Sequence, residues 1–146
     1  MMTGFDPDRF LAAQASTYAA ALGELRRGRK TSHWMWFIFP QLAGLGRSET
    51  ARFYAISSAE AARAYVAHPL LGPRLIEATR AATAAGGSAE AIFGGIDAIK
   101  LRSSMTLFAA VADDPAPFLA ALTRFYDGRG DSATLNLLAA DEPSRT

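Results

Sequence analysis

No cysteine occurs in this 146-residue chain, which removes disulfides, thiolate catalysis and zinc-ribbon chemistry together. Nothing in it calls for an oxidising compartment. Histidine is scarce as well: only His33 and His68 are present, and two separated histidines without an H-E-x-x-H arrangement make no metal site. The sequence also lacks a run of about eighteen uninterrupted apolar residues, and MMTGFDPDRF has neither the basic n-region nor the apolar h-region of a signal peptide. These absences predict a cytoplasmic protein that does not enter a membrane. A net charge of +1 is far from the basic or acidic excess of a chain that binds nucleic acid or a charged surface. Arginine far outnumbers lysine, which genome base composition alone explains.

What is present is globular. Apolar residues make up 50% and charged residues 20%, too much greasy side chain for a disordered chain. A single domain of this size buries roughly 68–70% of its unfolded surface. No linker or repeat divides it, so residues 1–146 are read as one domain, with its core over about 5–138 and a polar tail from 141 to 146.

Helical punctuation recurs along the chain. Asp6-Pro7 reads as a cap and first-turn proline, followed by Leu11, Tyr18, Leu22 and Leu25 at helical spacing as far as Gly28. Arg26, Arg27, Arg29 and Lys30 then suit the solvated end of that helix, where cations complement the dipole. Trp34 to Phe39 is short, apolar and aromatic, and its pattern fits a buried strand or a buried helical turn. Ser48 can cap a helix through Phe53 and Tyr54, and Ser57 with Glu60 has capping-box spacing for another that stops before His68-Pro69. Further helices follow from Leu70 to Thr83, in a short turn from Ser88, from Ile96 to Val111, after Asp114-Pro115, and after Asp131. The Ile96–Val111 segment is the most apolar, with Ile96, Ile99 and Leu107 off its main stripe, and is expected to be central and wrapped on most sides. The sum is an all-α domain of six or seven helices.

Two clusters could carry chemistry. The first is KTSHWMWFIFPQLAGLGRS, Lys30 to Ser48, in which Trp34 and Trp36 offer stacking area and His33, Gln41, Arg47 and Ser48 offer polar contacts. His33 suits a general base or a donor to a ligand, and equally a capping or core histidine. His68 suits a helix cap. Gly44-Leu45-Gly46-Arg47-Ser48-Glu49 begins like a dinucleotide fingerprint but has Glu49 where the third small residue belongs, so no cofactor is implied. The free N–H groups at that helix start could still hold an anion.

The second cluster is Asp97, Lys100, Ser103 and Ser104, a polar strip on the greasiest helix. Asp97 and Lys100 form a natural i, i+3 pair, and the serine hydroxyls can bond carbonyls one turn back. Ser104 beside Lys100 admits a lysine-activated nucleophile, although K-x-x-S-S reverses the usual order of that motif.

Several words of the sequence resemble one family. Phe10-Leu11 with Gln14, SHWMWFIFPQLAGLGRS, Tyr54, His68-Pro69-Leu70-Leu71-Gly72, Ile92-Phe93-Gly94 with Asp97, and KLRSSMTLF together resemble the bacterial DUF1810 family, a domain of unknown function. The resemblance implies an all-helical fold with packing distantly similar to armadillo-type α-superhelices, and makes Trp34–Phe39 helical or irregular. Members are sometimes labelled calpastatin, but calpastatin inhibitory segments are disordered and this chain is compact and apolar. The resemblance brings no activity with it.

Three functions then compete. One is a site for a small anionic metabolite or nucleotide, walled by Trp34 and Trp36 with Gln41, Arg47, Ser48 and Ser103, and extended to hydrolysis or group transfer if His33, Lys100 and Ser104 act as catalytic groups. Another is a non-catalytic module that presents its aromatics to a protein partner. The last is a buried polar network that only fixes helix packing. The pocket reading requires the two clusters to face each other; if they do not, the aromatic block is a core or an interface.

Overall fold

A computed structural model describes residues 5–141. Among them the chain forms ten helices and no strand: α1 Asp8–Ala15, α2 Tyr18–Arg26, α3 Met35–Ile38, α4 Glu49–Phe53, α5 Ala59–Ala67, α6 Leu71–Ala84, α7 Ala89–Phe93, α8 Gly95–Val111, α9 Ala116–Tyr126 and α10 Ser132–Asp141. The all-α expectation holds, but the count of six or seven was low. The first predicted helix is two, broken at Ser16-Thr17, where Thr17 leaves helical geometry at φ −123° and both residues are poorer helix formers than alanine or leucine. Trp34 to Phe39 contains the helical turn α3, which ends where Phe39 leaves helical geometry ahead of Pro40.

Serine hydroxyls start three of the helices. Those of Ser48, Ser58 and Ser88 each accept the N–H three residues on, at 3.1 Å, and so satisfy a backbone donor that the helix cannot. The cap of α5 is therefore Ser58, one residue beyond the predicted Ser57. Asp131 caps α10 by accepting the Thr134 N–H at 2.9 Å. Asp141, expected in the polar tail, instead closes α10 and accepts the Ala59 N–H at 2.9 Å, tying the last helix to the start of α5. Residues 142–146 of that tail lie outside the described residues.

The expected central helix is central. Along α8, Leu101, Met105, Leu107 and Phe108 are buried, and the helix packs on α5, α7, α9 and α10. It is not wrapped along its whole length: Ile96 is 74% and Ile99 67% exposed in its first two turns. The word His68-Pro69-Leu70-Leu71-Gly72 is the tight corner from α5 into α6. There His68 Nδ1 accepts the N–H groups of Leu70 and Leu71 at 3.1 and 3.2 Å, the capping role expected of it. A Cβ on Gly72 would lie 2.0 Å from the Val66 carbonyl oxygen, so only glycine fits where the two helices meet.

Candidate functional site

The two clusters do face each other, through charges. Lys30 Nζ lies 2.8 Å from Asp97 Oδ2, and Lys100 Nζ lies 3.3 Å from Asp97 Oδ1, so one carboxylate on α8 takes an ammonium on each oxygen. Each ammonium also sits over an indole, Lys30 at 5.0 Å from the Trp34 ring centre and Lys100 at 4.4 Å from that of Trp36. Lys30 and Lys100 are the chain's only lysines, and Trp34 and Trp36 its only tryptophans. All four meet around Asp97.

The halves of this cluster differ in depth. The Lys30 side chain is 8% exposed and Trp34 is fully buried, its ring packed near Phe39 and Phe93. Lys100 is 22% exposed and Trp36 is half-buried. Lys30 thus forms the floor and Lys100 the rim. Two ammonium groups share the one carboxylate of Asp97.

Glu24, which the sequence pattern did not single out, holds the floor in place. Its buried carboxylate accepts the indole N–H of Trp34 at 3.0 Å, the backbone N–H groups of Thr31 and Ser32 at 2.6 and 2.9 Å, and the Ser32 hydroxyl. Burial pushes this carboxyl up, but the donors, with the Ser32 hydroxyl foremost, outweigh it and hold the group down at about 2. One charge therefore organises residues 31–34 from α2. The Lys30 N–H, donating to the Ile92 carbonyl at 2.7 Å, pins the same segment to α7.

The other predicted residues sit at different depths. His33 is exposed, and so is Arg47. Ser48 spends its hydroxyl on the α4 cap. Ser103 is buried and donates back to the Ile99 carbonyl at 3.3 Å. Ser104 is fully buried, and its hydroxyl has no hydrogen-bond partner among the described residues. Gln41 and Trp36 line a cleft with Gly46, Ala51 and Tyr54, but its volume of about 10 Å³ is at most room for one water. A larger concavity of about 690 Å³ runs between α2 and α6, lined by Arg26, Ile76, Glu77 and Arg80, and shares no residue with the cluster.

Of the basic run, Arg26, Arg27 and Arg29 are solvated as expected, whereas Lys30 turns inward. The signal that would have found it is its rarity. In a chain with thirteen arginines, a position that remains lysine is set apart.

Fold and site together define a small all-α protein in which two lysines and two indoles gather around Asp97. The chain belongs to the DUF1810 family, described as "Protein of unknown function", whose match spans residues 4–138. It is similar to the crystal structure of the conserved hypothetical protein Rv1873 from Mycobacterium tuberculosis, at 53% identity and a TM-score of 0.91, over 92% of this chain and 97% of that one. A comparison with curated proteins gave no match.

Proposed function

We propose that this protein is a cytoplasmic binding module that recognises an anionic group, carried by a protein partner, at the rim formed by Lys100 and Trp36. The observation that carries the proposal is the assembly of every lysine and every tryptophan of the chain around Asp97, with two ammonium groups sharing its one carboxylate. A purely structural ion pair needs only one ammonium. Here the buried Lys30 neutralises Asp97, and the more exposed Lys100 can turn from the carboxylate to a ligand without leaving it unpaired. The open surface suits a group presented by a macromolecule better than a sequestered metabolite, which buries most of its own area. Helix packing distantly similar to armadillo-type superhelices would supply the rigid frame.

Catalysis gains less support from the geometry. His33 on the surface, Ser104 in the core and Lys100 at the rim share no reacting centre.

Titration with glutarate and with inorganic phosphate tests the proposal, read on the two indole N–H signals by NMR. The expected result is a saturable shift of the Trp36 signal with the Trp34 signal unmoved. If neither anion moves Trp36, the proposal fails.

A further inference from the structure

One surface next to the rim is unaccounted for. Ile96 and Ile99, 74% and 67% exposed, stand together in the first turns of α8 and put two large apolar side chains on one face. On a helical projection at about 100° per residue they lie side by side, with Lys100 flanking Ile96 and Arg102 flanking Ile99. Each flanking cation is held on an aromatic ring: Lys100 on Trp36 at 4.4 Å, and Arg102 on Tyr126 at 5.5 Å, with its Nε donating to the Arg129 carbonyl at 3.0 Å. The surface is thus an apolar ridge between two fixed positive charges. At its head, a Cβ on Gly94 or Gly95 would meet nothing within 4 Å, so the approach to the helix start is open.

We infer that the partner at this surface is an acidic amphipathic protein segment, whose apolar side chains cover Ile96 and Ile99 and whose carboxylates pair with Lys100 and Arg102. This rests on the reading of the Lys100–Trp36 rim as a binding surface and names what binds there. Charge complementarity selects the occupant. A second copy of the chain would bring the same ridge and the same two cations against them, placing like charges together. Nucleic acid would satisfy the cations, but aliphatic side chains give bases nothing to stack on, and a chain of net charge +1 lacks the basic excess such partners require. An acidic segment with apolar residues on one face satisfies both features, as amphipathic helices do in apolar grooves. Ile96 and Ile99 then anchor the contact, and the cations set its specificity.

The test is selection of phage-displayed random peptides on the full chain, with counter-selection on an Ile96→Asp, Ile99→Asp variant. Both positions face solvent, so that variant should keep the melting profile of the parent. The expected peptides carry aspartate or glutamate beside apolar residues at helical spacing, and lose affinity by about five- to tenfold on Lys100→Gln or Arg102→Gln, as truncating one side of a charge pair does. If ridge-dependent peptides emerge without carboxylates, the acidic partner is overturned while the binding-surface reading stands. If no peptide depends on the isoleucines, the proposed partner falls, while the rim reading is decided separately by the Trp36 titration. A concentration-dependent dimer, or single-stranded RNA binding, that is lost in the double aspartate variant would likewise overturn the proposed partner.

Discussion

At the scale of single residues, the account stands on which charges are buried and what answers them. Glu24 is held ionised by donated hydrogen bonds, so its folded-state pKa lies below its unfolded one. Its contribution to stability is therefore complete above about pH 4.5 and is lost as the pH falls towards about 2. Glu24→Gln removes a charged acceptor from four donors and should cost about 2–3 kcal/mol at neutral pH, with the deficit shrinking in acid. Denaturant melts of both proteins across pH check this. Asp97→Asn leaves both ammonium groups without a counter-charge and should cost about 2 kcal/mol, less than a fully buried pair because Asp97 is partly exposed. Lys100→Gln, at the rim, should cost under about 1 kcal/mol. Equal losses in the two variants would contradict the division into floor and rim. Ser104→Ala removes a buried hydroxyl that has no partner among the described residues and should leave stability unchanged or slightly raised, measured by thermal melting.

Residue by residue, the candidate site was half legible. The Asp97–Lys100 pair followed from helical spacing, because partners three apart share a face. Lys30 was hidden in an arginine run whose neighbours are indeed solvated, and Glu24 carries no local pattern at all. Its donors lie seven to ten residues on, after a turn whose path is set by tertiary packing.

At the scale of elements, helix starts capped by a side chain were legible at Ser48, Ser88 and Asp131, and missed by one residue at Ser58. The break between α1 and α2 was not, since Leu11, Tyr18 and Leu22 keep helical period across it while the backbone does not. That break has a use. Gln14, just before it, is buried and donates to the Phe37 carbonyl at 2.8 Å and to the Tyr65 hydroxyl at 3.2 Å, joining α1 to α3 and α5. The corner from α5 into α6 gives the sharpest prediction at this scale. Gly72→Ala drives a methyl into the Val66 carbonyl and should cost about 3 kcal/mol, since nothing there is a flexible side-chain end that could yield. Gly94→Ala meets open space, so its cost comes from the backbone alone, whose φ of 83° and ψ of 164° are essentially confined to glycine, and should be about 2 kcal/mol. Chemical denaturation of both variants ranks them.

At the scale of the whole molecule, the all-α class was readable because helical periodicity and caps recur throughout. The open form of the site was not, because a sequence pattern shows which side chains are polar and not how much space separates them. The aromatic block looked like a cavity wall, yet Trp34 is core, Trp36 is rim, and the accessible surface passes onto α8 through Lys100. The central claim is that two lysines, alike in sequence, hold different offices: Lys30 neutralises Asp97 and Lys100 meets the ligand. A chain with only two lysines permits a direct measurement, an NMR titration with glutarate that follows the two lysine side-chain signals in protein labelled at lysine. The account predicts that the Lys100 signal moves and saturates while that of Lys30 stays fixed; equal movement of the two, or none in Lys100, would contradict it.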